Sequence, residues 1–430
     1  MADGSQTVEA ADSRGDVDGW PAWLRLFAAL VMSTIGGVGM WSVVVVLPAV
    51  QADFGISRAD ASLAYTLTML GFGFGGILMG RIADRVGIFR PLVGAGVTMG
   101  LGYMATAYAA DIWQFGLVHG LLIGLLGSSV SFGPMIADIS HWFERRRGIA
   151  VAICASGNYL AGTFWPPVVQ HLVTAYGWRQ THVWLGLLCI VAMLPLAFAF
   201  RKRAPHRAGA NPGVPPGQSR GGALAVQVPP PLPLGALQLL LIVAGVACCV
   251  AMSMPQVHIV AYCGDLGYGT ARGAEMLSMM LGFGIVSRLV SGVIADRIGG
   301  INTLLLGSVL QGVALALYVP FDGLMSLYVI SGLFGLFQGG IVPSYALIVR
   351  QYFPPSEAGA RVGMVLTATL VGMAFGGWLS GVIFDMTGSY QAAFLNGIAW
   401  NILNVLIVLL LIWRGRGVAR RWHGHVAAAA

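Results

Sequence analysis

One arginine stands where an arginine is costly. Arg288 falls inside the apolar run 273–295, and an ionised guanidinium so far from water must face a protein interior and find a partner there. Eight residues separate it from Asp296, about 12 Å along a helix. Gly284 and Gly292, four residues to either side, leave its face open. None of the seventeen acidic residues falls in the middle third of an apolar run; Asp138 and Asp385 come nearest. A guanidinium offers two parallel donors to a carboxylate. The expectation is a small anionic ligand at Arg288, and the alternative is a salt bridge to a buried acid.

Other groups within the apolar runs carry softer signals. His119 and His258 could relay a proton near neutral pH, or each could be a neutral core residue with one hydrogen bond. Asp138 is a candidate proton site or the partner of the Arg145–Arg147 cluster. Trp41, Asn158, Tyr159, Gln338, Tyr345 and Asn396 could line a cavity or pack between helices.

Several patterns mimic known chemistry without supporting it. Gly71, Gly73 and Gly76 spell G-x-G-x-x-G, but no strand precedes them, and inside an apolar run such glycines let helices approach closely. Lys202 is the sole lysine and is followed by Arg203, so there is no Walker A motif. H-E-x-x-H is absent, and His141 with Glu144 has the wrong spacing. The five cysteines, Cys154, Cys189, Cys248, Cys249 and Cys263, lack metal-ligand spacing and read as core thiols. No cofactor, metal or catalytic centre is expected.

The elements that must position these residues follow from composition. Of 430 residues, 57% are hydrophobic and 10% charged, against roughly a quarter charged in an ordinary globular chain. So few charges cannot cover a soluble body of this size, which excludes a soluble enzyme, a disordered chain and a nucleic-acid-binding domain. The expected environment is a lipid bilayer.

Twelve apolar runs are each about 20 residues long, the length of a spanning helix: 24–47, 61–80, 89–109, 112–138, 148–171, 182–200, 235–261, 273–295, 302–320, 324–349, 361–384 and 391–413. The polar, Pro- and Gly-rich stretch 201–234 reads as a flexible linker. The predicted organisation is a cytoplasmic tail 1–23, a six-helix bundle 24–200, the linker, a second bundle 235–413 and a tail 414–430. With the amino terminus inside, twenty of the twenty-four Lys and Arg fall on the cytoplasmic side, and Arg58, Arg179 and Arg272 fall outside. This bias puts both termini in the cytoplasm and explains the +7 net charge without nucleic acid.

The two halves repeat. Gly80-Arg-Ile-Ala-Asp84-Arg85-Val-Gly87 closes the second run, and Gly292-Val-Ile-Ala-Asp296-Arg297-Ile-Gly299 closes the eighth, 212 positions later. His141-Trp142-Phe143 and Gly177-Trp-Arg-Gln180 have weaker echoes in Gln351-Tyr352-Phe353 and Gly388-Ser-Tyr-Gln391. Two bundles in the same orientation are the pattern of parallel repeats in a secondary transporter.

These residues resemble the major facilitator superfamily, from the first run to the twelfth. Gly80, Asp84, Arg85, Gly87 and Arg90 fit its signature between helices 2 and 3, and the second copy fits as far as Gly299. The resemblance implies two rocking bundles, with Asp84 locking one state against the start of helix 11. A carboxylate gains from the macrodipole of a helix amino terminus; the alternative is that the Asp84–Arg85 and Asp296–Arg297 pairs only tighten loops. Within the superfamily the chain looks most like the monocarboxylate porters. Asp18-Gly19-Trp20-Pro21-Ala22-Trp23 resembles their entry to helix 1, Arg146-Arg147-Gly148-Ile-Ala150 resembles their helix 5 start, and Arg288 stands at their substrate arginine. It departs from them in having no lysine on helix 1, and Gly284 one turn before Arg288 where they have aspartate.

The expectation is thus an all-α membrane protein with twelve spanning helices, multi-pass in the cell membrane and monomeric. Its expected function is transport of a small monocarboxylate, aliphatic or aromatic. Proton symport is implied by the resemblance. Efflux of amphipathic compounds in exchange for protons is the alternative within transport. A non-transporting receptor on the same fold is the alternative outside it.

Overall fold

The computed structural model describes residues 17–202, 230 and 232–429, and every regular element among them is helical. The helices are α1 (Trp20–Gly36), α2 (Val38–Phe54), α3 (Arg58–Val86), α4 (Phe89–Ala107), α5 (Ile112–Val118), α6 (Gly133–Ser140), α7 (Arg147–Ala197), α8 (Leu234–Asp265), α9 (Thr270–Ile298), α10 (Gly300–Leu317), α11 (Leu324–Gln338), α12 (Ile341–Tyr352), α13 (Pro355–Thr387) and α14 (Tyr390–Ala429). Between α5 and α6 the chain passes through a π-helical stretch, His119–Leu125, and a 3₁₀ turn, Ser128–Ser131.

Local sequence places the ends. Ser57 caps α3 by accepting from the Asp60 N–H at 3.1 Å, and Asp111 caps α5 by accepting from the Gln114 N–H at 2.8 Å, each satisfying an orphan donor. Gly87 and Gly299 have φ of 81° and 82°, a backbone that glycine adopts without a Cβ penalty. They stop α3 and α9 identically, with N–H groups donating to the carbonyls of Ala83 and Ala295. The sequence repeat is therefore also a repeat of backbone geometry.

Among the described residues, ten helical stretches are long and apolar enough to cross a membrane. One of them, Arg147–Phe200, has 54 residues, about 80 Å of helix against a bilayer core of about 30 Å. It breaks at Gly177, where φ is 78° and ψ 162°. Exposed side chains agree with a lipid surround: Phe74, Leu101, Val293, Val309 and Leu406 all stand exposed on helices. Trp20, Tyr108, Trp113 and Tyr176 stand exposed near helix ends or breaks, where amphipathic rings meet the lipid headgroups.

The chain forms two compact units. The first holds residues up to Ala210 together with Val257–Gly282; the second holds Asn211–Gln256 and Phe283–Ala430. The first is packed around Tyr65, Tyr103, Phe115, Trp142, Phe143 and Phe200, all fully buried. The second is packed around Tyr318, Phe334, Tyr345, Phe353 and Phe394. Interhelix hydrogen bonds thread both cores, as in Ser42–Tyr103 at 2.7 Å in the first and Asn404–Ser308 at 2.7 Å in the second.

Residues 1–16 and most of the expected linker, 203–229, lie outside the described residues. Asp18, expected within the tail, is docked instead: its N–H donates to the Trp142 carbonyl at 3.0 Å, and its carboxylate accepts from the Arg145 N–H at 3.0 Å. The last helix runs on to Ala429, through the stretch 414–429.

Candidate functional site

The surroundings of Arg288 belong to the second unit and are set by small residues. A Cβ on Gly339 would run into the Gly284 carbonyl and stand 3.0 Å from Ser287 Oγ; one on Gly340 would collide with Ser291. The break between α11 and α12 therefore seats its two glycines directly on the Gly284–Ser287–Ser291 stripe of α9. Helical geometry sets Arg288 about 40° from Gly284 and about 60° from Ser291 around α9, and about 100° or more from Val286, Leu289, Val290 and Val293. Those four apolar residues are exposed. Arg288 is thus on the protein-facing side, half-buried and engaged in contacts of its own.

Unused hydrogen-bonding capacity gathers at the same break. Ser287 Oγ and Gln338 Nε2 are buried with no hydrogen-bond partner among the described residues. Gln338 spends its other amide atom on the core: Oε1 accepts from Gln256 Nε2 at 2.7 Å. Buried polar atoms normally find partners, so two idle ones at the break, with Arg288 one position further along α9, suit a polar ligand. The arrangement offers a guanidinium, an amide N–H and a hydroxyl within one short stretch of α9 and its neighbour.

The remaining expected residues are more dispersed. Tyr345 is fully buried and its hydroxyl donates to Asn404 Oδ1 at 3.0 Å; with Asn401 and Ser308 it belongs to the core network of the second unit. Trp41 and Asn158 come together in the first unit, where Trp41 Nε1 donates to the Asn158 carbonyl at 3.1 Å. Trp41 is buried and the Asn158 side chain half-exposed. Tyr159 and His258 are buried there too, and both have partners. His119 is enclosed, with Nδ1 at 2.8 Å from Thr68 Oγ1 and aromatic rings around it.

Asp84, Arg85, Arg90, Asp296 and Arg297 are exposed at their loops, and Gly80 lies one helical turn before Asp84. Gly71 meets the Gly120 carbonyl at the close helix approach its sequence suggests. All five cysteines are buried and free.

Asp138 corrects the sequence reading. Its carboxylate accepts from Arg25 Nε at 2.8 Å and Nη2 at 3.0 Å, and not from the Arg145–Arg147 cluster, whose Arg147 instead donates to Ser140 Oγ at 3.2 Å. Arg25 also donates to the carbonyls of Ala199 and Lys202 and lies 4.6 Å over the Trp142 ring. Charge alone could not choose between partners 7 and 113 positions away from Asp138. Two further features went unread. In the first unit Arg58 reaches Asp265 at 3.1 Å and Gln170 donates to Thr270 at 2.9 Å, tying α3 and α7 to the ends of α8 and α9. His182 stands beside His119 with ring centroids 6.2 Å apart; it opens an apolar run, where a polar residue looks like a boundary.

The family profile of the Major Facilitator Superfamily matches residues 29–331 and 302–422. Monocarboxylate transporter 13 of Bos taurus is 27% identical over 386 residues, covering 87% of this chain and 85% of that protein. The agnestins efflux protein AgnL12 of Paecilomyces divaricatus is 23% identical, covering 77% and 73%. Among solved structures, the nucleoside transporter NupG superposes with a TM-score of 0.70 at 13% identity, covering 91% and 99%, a likeness of fold. The chain, with its repeated Asp-Arg loops and helical bundles, belongs to the Major Facilitator Superfamily and is similar to its monocarboxylate transporters.

Proposed function

We propose that this transporter carries a small monocarboxylate, bound at Arg288 and coupled to a proton. The observation that carries the reading is the site itself: an arginine on the protein-facing side of α9, beside a glycine break whose neighbours Ser287 and Gln338 hold idle buried polar atoms. Arg288 would grip the two carboxylate oxygens in parallel, which a lysine ammonium cannot do. The Gln338 N–H and the Ser287 hydroxyl would take further lone pairs. A single arginine suits one carboxylate better than two. A proton travelling with the anion makes each cycle electroneutral. The similarity to a monocarboxylate transporter points to the same substrate class.

The architecture follows the same reading. Phe89–Ala107 and the division of Arg147–Phe200 at Gly177 raise the ten stretches to twelve spans, grouped as bundles 24–200 and 235–413 with both termini in the cytoplasm of a cell membrane. Asp84 would grip a helix amino terminus in one state and release it in the other.

Efflux of a larger amphipathic compound is the second reading, favoured by the similarity to the agnestins efflux protein. Uptake of radiolabelled lactate, pyruvate and benzoate into proteoliposomes, with and without an inward proton gradient, decides between them. Saturable, gradient-stimulated uptake of one acid supports the proposal. Wild-type protein that moves none of them, yet expels a hydrophobic dye against a gradient, contradicts it.

A further inference from the structure

Two imidazoles share one sealed cage in the first unit. His119 and His182 are both fully buried. Phe115 stacks on His182 at 5.6 Å, Tyr103 meets both rings edge-on at 5.9 and 5.2 Å, and Trp178 meets His182 at 5.6 Å.

Their tautomers follow from the threonines they touch. Thr68 Oγ1 donates to the Ala64 carbonyl at 2.7 Å, and Thr106 Oγ1 donates to the Tyr103 carbonyl at 2.8 Å. With those protons committed, each threonine oxygen can only accept from its histidine, across 2.8 Å in both cases. Both neutral imidazoles therefore carry the proton on Nδ1. Each is left with a bare Nε2 lone pair, and both Nε2 atoms are buried without a partner among the described residues. An imidazole nitrogen with a lone pair, no donor and a ring held in place is a proton acceptor.

The repeat argues that packing does not require histidines here. The second unit sets Ser331 and Phe394 against Tyr318 as the first sets His119 and His182 against Tyr103. In the second unit they fill a comparable aromatic cluster: the Tyr318 and Ser331 hydroxyls are 2.8 Å apart, and Tyr318 stacks on Phe394 at 4.8 Å. That cluster is buried and holds no imidazole.

We infer that the His119–His182 pair is the proton-binding site of the first unit, taking up one proton. This rests on the proton-coupled reading above and names where the proton is held. A proton from water forms an N–H bond at one Nε2, giving an imidazolium, and leaves when that bond breaks; no electrons are transferred. Like charges 6.2 Å apart in a dry cage exclude a second proton. The other titratable groups at the cage are Tyr103 on α4 and, near it, Cys189 on α7; both are neutral when protonated. From α2 the cage receives the Ser42 hydroxyl, bonded to Tyr103. Arg179, which lies 4.4 Å over the Trp178 ring, is ion-paired with Asp53 at 2.9 Å.

The test uses the full chain labelled with ¹⁵N-histidine in lipid bilayers, read by solid-state NMR between pH 8 and pH 4, with signals assigned through His119→Asn and His182→Asn. Asparagine keeps a donor for the threonine but takes no proton. The inference expects Nε2 lone pairs on both rings at high pH and one imidazolium per pair at low pH. Two rings that stay neutral throughout, or protons on Nε2 at high pH, overturn it whether or not a carboxylate is transported. In liposomes, His119→Asn and the double variant His119→Ser with His182→Phe, which copies the second half, are expected to lose gradient-stimulated lactate uptake about tenfold while keeping lactate exchange at equal pH. Gradient-stimulated uptake at the wild-type level in both variants also overturns it. Lactate inactivity of the wild type would count against the proposed substrate and leave the NMR result to decide the proton site.

Discussion

Arg25 shows how a single residue can hold an end of a bundle together. Its guanidinium is almost wholly buried, its carboxylate partner Asp138 nearly so, and two backbone carbonyls and two aromatic rings complete its surroundings. Removing one member of such a pair strands the other, at a cost of about 3–5 kcal/mol. Arg25→Ala should lower the melting temperature of the purified protein by far more than Arg147→Ala, whose side chain is exposed; thermal unfolding in detergent measures both. Arg288 was legible from sequence because a charge inside an apolar run needs no partner to be noticed. Partnerships were not legible. Asp138 and Arg25 lie 113 positions apart, and only the packing of three helix ends selects that pair over the nearer arginines. His182 escaped for a related reason, since its meaning depends on His119 beside it.

The helices themselves were largely readable, because apolar runs of spanning length leave few alternatives in lipid. Their irregularities were not. The π-helical stretch His119–Leu125 has an apolar sequence that does not mark it, and at its start Gly71 and Gly120 approach closely. The Gly339–Gly340 break lies at the corresponding place in the second half, 212 positions after Gly127 and Ser128, and interrupted helices in matching positions are where transporters place their sites. At the other end of the element scale, Gly87 and Gly299 stop α3 and α9 in the same positive-φ conformation. With ψ of 161° and 160° both sit in a backbone region nearly confined to glycine, where another residue costs about 1–3 kcal/mol, and a Cβ on Gly299 would meet no atom within 4 Å. Gly299→Ala should therefore lose stability through backbone strain alone, and Gly299→Asn should lose about as much, because asparagine tolerates positive φ only in the left-handed helical region. A melting temperature equal to wild type in either variant would count against that account.

At the scale of the whole molecule, the proposed topology makes a labelling prediction. The five native cysteines are buried, so reagents that cannot cross a membrane should find little to label in the wild type. Ser219→Cys, in the long polar stretch between the halves, should react only after cells are permeabilised. Asp322→Cys, exposed between α10 and α11, should react in intact cells. The reverse pattern would invert the proposed orientation and, with it, the side from which substrate enters. Family membership and the repeat fit this topology, since both halves end their second helix in the same Asp-Arg-x-Gly loop.

The central claim is that Arg288 binds the transported carboxylate. The measurement that tests it most directly is counterflow of the best acid from the uptake panel, at equal pH on both sides, comparing wild type with Arg288→Ala and Arg288→Lys. Equal pH removes any contribution from proton coupling. Loss of saturable exchange in Arg288→Ala, with partial exchange at about tenfold weaker affinity in Arg288→Lys, is the predicted result for a bidentate carboxylate site. Exchange by folded Arg288→Ala at the wild-type rate and affinity would show that the arginine is structural, and the carboxylate site would have to lie elsewhere.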